Sequence, residues 1–199
     1  MSVGPRLYSE RLGEALTYAA DLHATQKRKG TAIPYLSHLL AVCSLVLENG
    51  GSEDQAIAAL LHDAAEDQGG QATLDAIRAT FGYAVAKIVE DCSDSLVDSA
   101  VAQKADWELR KRAYLEHLGA AGAPTLLVSL ADKLHNARSI ECDYRRIGPL
   151  VFERFTGGRD GTLWYYDELV KAFERAAPPD PRREPMLAQL REIVARLHH

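Results

Sequence analysis

The chain has no paired cysteine motif, no bilayer-length apolar run, no surplus of positive charge and no convincing strand alternation. Each absence removes a class of function. The cysteines, Cys43, Cys92 and Cys142, are odd in number and far apart, with no CxxC pair. That spacing argues against a disulfide framework or a cysteine zinc site and leaves them as reduced, mostly buried small side chains. No stretch approaches the roughly 20 apolar residues that a membrane-spanning helix needs, and the N-terminus MSVGPRLYSE lacks the basic-then-apolar layout of a secretory signal. A cytoplasmic location without a membrane partner is therefore expected. The net charge of −5 speaks against a nucleic-acid polymer as partner, because phosphate contacts need a basic surface. It still permits a small phosphorylated ligand held by a local basic cluster.

What is present is a chain of 199 residues, 47% hydrophobic, enough for one compact domain over residues 1–199. Helical periodicity dominates and predicts an all-α bundle of about ten helices. The first, about Ser9 to Ala24, places Leu12, Leu16, Ala19, Ala20 and His23 along one face. A basic loop, Gln26-Lys27-Arg28-Lys29-Gly30, leads through Pro34 into a helix over Leu36–Glu48 that stops at Asn49-Gly50-Gly51. Ser52 caps the next, which runs to about Glu66 and is apolar on nearly every face, as a central helix should be. Further helices are expected over Thr73–Phe81, Tyr83–Cys92, Trp107–Gly119, Pro124 to about Glu141, Thr162–Ala176 and Glu184–Leu197. His198 and His199 are assigned no role, and no repeat, low-complexity tract or linker interrupts the chain.

The chemistry lies where polar, metal-capable groups sit inside apolar helices. His62-Asp63 is enclosed by Ala58-Ala59-Leu60-Leu61 and Ala64-Ala65. A buried carboxylate beside a buried imidazole is expensive unless paired or bound to metal. Neighbours on a helix diverge by about 100°, so other helices must complete such a site. His38, one helix earlier, and Asp132, in the apolar run Leu126–Leu134, are the candidates. Two imidazoles and two carboxylates suit a divalent transition metal better than calcium. Glu66 and Asp67 follow His62 and Asp63 by four residues, where a carboxylate can orient water or move its proton. Asn136, one turn beyond Asp132, can donate to a phosphate or sugar. Lys27-Arg28-Lys29 reads as a clamp for phosphate or a purine face rather than a solvated charge run. Taken singly, each residue has an ordinary structural explanation; the combination H…HD…D across three apolar helices favours metal.

The wording of these segments resembles a known family. Ala19-Ala20-Asp21-Leu22-His23, Gln26-Lys27-Arg28-Lys29-Gly30, Pro34-Tyr35-Leu36-Ser37-His38, Ala58 through Asp67, Phe81-Gly82 and Leu130-Ala131-Asp132-Lys133-Leu134-His135-Asn136 are similar to the HD-type hydrolase domain of the RelA/SpoT alarmone enzymes. The likeness is greater to the stand-alone small alarmone hydrolases, animal Mesh1-type proteins among them. It implies an HD-domain helical bundle and manganese-dependent removal of the 3′-diphosphate from (p)ppGpp or (p)ppApp, releasing pyrophosphate. On that pattern His38, His62, Asp63 and Asp132 hold one Mn2+, Glu66 and Asp67 activate water, and Arg28, Lys29, Asn136 and Tyr165 meet the nucleotide. The chain departs from the family at Asp91-Cys92-Ser93-Asp94, in the loop Ser95–Ala105 expected beside the nucleotide, and at Phe155–Tyr166, where Trp164, Tyr165 and Tyr166 are candidates for a base pocket. The long enzymes' synthetase, TGS and ACT domains have no counterpart here, so hydrolysis without synthesis is expected. Alternatives are another HD-type nucleotide phosphohydrolase or a non-catalytic nucleotide-sensing module. The sequence sets neither guanine against adenine nor the oligomeric state.

Overall fold

The computed structural model describes residues 8–96 and 106–199. Among them the regular structure is helical: α1 (Glu10–Leu22), α2 (Leu36–Glu48), α3 (Glu53–Leu61), α4 (Ala64–Asp67), α5 (Gly70–Phe81), α6 (Tyr83–Cys92), α7 (Trp107–Ala120), α8 (Ala123–Ile147), a 3-10 segment (Gly148–Arg154), α9 (Gly158–Arg175) and α10 (Glu184–Leu197). The one extended pairing among the described residues is an isolated bridge between Lys27 and Pro34. No described helix is long and apolar enough to cross a membrane. Cys43 and Cys92 are buried and Cys142 is exposed, all three as free thiols.

The core forms around α3, which packs against α1, α2, α6 and α8 at once. Its sequence explains that position. Ser52 and Gln55 close a reciprocal capping box at the helix start, satisfying donors that would otherwise be orphaned. From Ala56 to Leu61 every side chain is buried, so no face is left for solvent. The Gln55 amide also donates to the Pro124 carbonyl at 3.2 Å, tying the start of α3 to the start of α8. Helix α8 in turn touches α2, α3, α6, α10 and the 3-10 segment, and it carries the second apolar run, Leu126–Ala131.

Several boundaries differ from expectation, each for a physical reason. The third helix stops at Leu61 rather than near Glu66. His62 keeps helical angles, but Asp63 sits at φ −96°, ψ −2°, in the sparsely used bridge region, and the chain restarts as the single turn α4. Helix α8 runs past Glu141 to Ile147. An Arg145–Glu141 pair at 2.8 Å supports the added turn, and Gly148, at φ 62°, ends it. Helix α9 begins at Gly158 instead of Thr162. On α1 the buried stripe is Ala15, Ala19 and His23, while Leu16 faces solvent. Of the loop Ser95–Ala105, residues 97–105 lie outside the described residues.

Candidate active site

Three helices deliver the candidate ligands to one point. His38 comes from the first turn of α2, His62 and Asp63 from the break between α3 and α4, and Asp132 from the middle of α8. His38, His62 and Asp132 are buried, and one donor atom from each lies within 4.8 Å of the others. Asp63 joins them: its Oδ2 is 3.0 Å from His62 Nε2 and 3.5 Å from His38 Nε2. Asp132 Oδ1 lies 3.2 Å from His38 Nε2 and 3.5 Å from His62 Nε2. Asp63, in the turn between α3 and α4, thus approaches the same point as its neighbour His62 from the side.

The arrangement fits a divalent cation. Both Nε2 atoms are buried without a hydrogen bond, although carboxylate oxygens surround them. His62 Nδ1 donates to the Ala59 carbonyl at 2.8 Å, which in the neutral ring leaves the Nε2 lone pair facing the cluster. His38 Nδ1 meets His135 Nδ1 at 2.7 Å, and burial, with His38 and Arg28 nearby, lowers the His135 pKa to about 4. A neutral His135 accepts the His38 proton and leaves that ring in the same ligating tautomer. Burial disfavours charge on His62, yet Asp63 and Asp132 together hold its pKa well above the ordinary imidazole range. Burial likewise opposes ionisation of both aspartates, but the groups facing them hold their pKa values well below the ordinary range: His62 and His38 for Asp63, Lys133 and the two histidines for Asp132. A cluster that demands positive charge at its centre, built of two nitrogens and two carboxylates, suits a divalent metal.

Surrounding side chains hold the ligands in place. The Tyr35 hydroxyl donates to Asp63 Oδ2 at 2.5 Å. Lys133 Nζ donates to Asp132 Oδ2 and Asn136 Nδ2 to Asp132 Oδ1, each at 2.6 Å. Asn136 Oδ1 accepts from Arg28 at 2.6 Å, so the amide predicted to meet substrate also connects the basic loop to Asp132. Of these supports, Tyr35 and Lys133 were absent from the sequence-based site. A lysine inside the apolar run of α8 was the available signal.

Tyr35, Lys133 and Asn136, which bond Asp63 and Asp132, also line a cleft of about 600 Å³. Arg28 and Lys29 of the basic loop, Arg110 and Lys111 of α7, and the acids Glu66 and Asp67 are all in its lining. The Asp94 backbone N–H donates to Glu66 Oε2 at 3.2 Å, and Arg110 Nη1 lies 4.0 Å from Glu66 Oε1. Arg110 and Lys111 both pair with the buried Asp94 carboxylate, Lys111 at 2.6 Å. These cations were not anticipated; only the fold brings α7 to the cleft. Trp107, Val151, Phe155, Tyr165 and Tyr166 form a more apolar part of the wall. Trp164 does not line it and instead lies under the Arg112 guanidinium, 4.7 Å from the ring centre. A Cβ at Gly157 would come within 2.6 Å of Trp107, so the glycine gives the indole its seat.

The profile of the HD domain family matches residues 15–163. The chain belongs to that family. Among its HD relatives, the guanosine-3′,5′-bis(diphosphate) 3′-pyrophosphohydrolase MESH1 of Xenopus tropicalis is 37% identical over 131 residues, spanning 64% of this chain and 68% of that protein. MESH1 of Homo sapiens is 35% identical over 133 residues, spanning 65% and 69%. The HD fold is shared with the solved structure of a metazoan SpoT ortholog that hydrolyses ppGpp, with a TM-score of 0.72, 24% identity and 98% of each chain covered.

Proposed function

We propose that this HD protein is a manganese-dependent pyrophosphohydrolase that removes the 3′-diphosphate of guanosine or adenosine alarmones. One observation carries the reading: two hydrogen-bond-orphaned imidazole nitrogens and two carboxylates converge beside a cleft lined by cations and by a further pair of acids. The MESH1 relatives, named as guanosine-3′,5′-bis(diphosphate) 3′-pyrophosphohydrolases, support the guanosine reaction.

His38, His62, Asp63 and Asp132 would hold the ion, which supplies Lewis acidity and lowers the pKa of water. The rest falls to the chain. Glu66 and Asp67, one turn beyond His62 and Asp63, orient the attacking water and take its proton as its oxygen bonds to the 3′-phosphorus. Arg28, Lys29, Arg110 and Lys111 offset the charge of the diphosphate and stabilise what develops on it in the transition state. The P–O3′ bond breaks, the nucleoside 3′ oxygen takes up a proton, and pyrophosphate leaves. Asn136 and Tyr165 complete the contacts to sugar and base.

Incubation of the manganese-loaded protein with a panel of guanosine and adenosine 3′-diphosphates tests the reading. Pyrophosphate and the 3′-hydroxyl nucleotide are the expected products. Orthophosphate would point to a different phosphohydrolase, and tight binding without turnover to a sensing module; either result overturns the proposal.

A further inference from the structure

A side-chain amide ties the loop after α1 to the acid pair. Gln26 Nε2 donates to Asp67 Oδ2 at 2.7 Å. An ionised carboxylate only accepts, so the NH2 end of the amide must face Asp67 and the oxygen must face away. That oxygen is held twice, by Gln68 Nε2 and by His23 Nδ1, each at 2.6 Å. Because Gln26 Oε1 can only accept, His23 carries its proton on Nδ1. The His23 ring is buried and stacked on Tyr35, with centroids 5.3 Å apart and planes 23° apart, so it cannot swing away easily. The backbone adds two clamps: Gln26 N–H donates to the His23 carbonyl at 3.1 Å, and the Gln26 carbonyl accepts from Tyr35 N–H at 2.9 Å. Two donors on Oε1 also polarise the amide and strengthen its bond to Asp67.

We propose that Gln26 is a positioning residue for hydrolysis: its amide, locked by His23 and Gln68, sets the rotation of the Asp67 carboxylate relative to the reacting water. The inference rests on the hydrolase reading above. It assigns different work to neighbouring residues of one loop, with Gln26 acting through Asp67 and Arg28 and Lys29 meeting the diphosphate directly.

Gln26→Met keeps the length of the side chain and removes the donor and acceptor. Steady-state kinetics of wild type and variant on guanosine 3′,5′-bis(diphosphate), with manganese saturating, give the test. Losing a hydrogen bond to a charged group corresponds to a kcat drop of about tenfold to a hundredfold, with KM within about twofold and manganese affinity and Tm near wild type. Gln68→Met, which leaves the Asp67 contact in place, should lower kcat by a smaller factor, and it carries the test if the first variant does not fold. A wild-type kcat in both variants, or a raised KM at constant kcat, overturns the inference and reduces Gln26 to packing of the loop. A wild-type protein that releases no pyrophosphate from this substrate overturns the hydrolase reading itself, and the inference with it.

Discussion

Asp94 offers a prediction whose size follows from the structure. Its side chain is only 3% exposed, yet it faces Lys111 and Arg110, and its backbone N–H holds Glu66. Burial works against the charge, but the two cations and the hydrogen bonds outweigh it and hold the carboxyl down at about 2, against 3.8 for the free group. A folded-state pKa below the unfolded one means stability that is present above pH 3.8 and lost as pH falls through 2. Converted at 1.36 kcal/mol per unit, the depression contributes about 2 kcal/mol at neutral pH and about half of that at pH 3. Asp94→Asn removes it and takes the Asp94 charge away from Arg110 and Lys111. Urea denaturation of wild type and variant at pH 7 and pH 3 should show the gap in unfolding free energy narrowing by about half. A gap that stays constant across that range would refute the electrostatic account and leave only a packing defect. Because Asp94 also holds the α7 cations beside Glu66, the variant's KM for nucleotide should rise at neutral pH.

Other outcomes follow from the same geometry. Asp63→Ala removes one of four donors and should lower manganese affinity at least about tenfold by calorimetry; unchanged affinity would exclude the ligand assignment. Glu66→Ala should retain metal while kcat falls about a hundredfold or more, within the range for a general base, and a wild-type rate would remove Glu66 from the mechanism. With Arg28→Ala, KM should rise more than kcat falls, because a charged contact and the support of Asn136 are both lost; an equal KM would return the basic loop to plain solvation. Gly157→Ala forces a Cβ against Trp107 and should cost about 1–3 kcal/mol in urea melts, whereas wild-type stability would show that the indole moves freely.

Much of this was legible in the chain, and the reason differs by feature. Helix α3 announced itself because an N-cap such as Ser52 is a local signal and because an all-apolar hexamer has only one comfortable place in a globule. The boundaries of α2, α6 and α10 were readable from their flanking glycines, prolines and periodicity. Leu16 was placed on the wrong face because Ala15 and Ala19 carry the α1 contact, and small residues give a weak periodic signal. The extra turn of α8 was missed because its charged side chains pair with one another, Arg145 with Glu141 and Arg146 with Asp143, and give no apolar periodicity; the 3-10 segment buries only Val151 and Phe152, too few positions for a period.

His38, His62, Asp63 and Asp132 could be named from sequence alone, since ionisable side chains in apolar helices need a compensating partner. Their family wording also named Glu66, Asp67, Arg28 and Asn136. What the one-dimensional pattern could not contain is the helix break between His62 and Ala64, where α3 gives way to the single turn α4. Nor could it contain the arrival of Arg110 and Lys111 from α7, or the amide of Gln26 reaching Asp67 across 41 residues of chain. Local propensity and burial are properties of short segments and can be read from them. Convergence of donors from α2, α3, α8 and α7 depends on how those helices pack, and only the tertiary structure decides that.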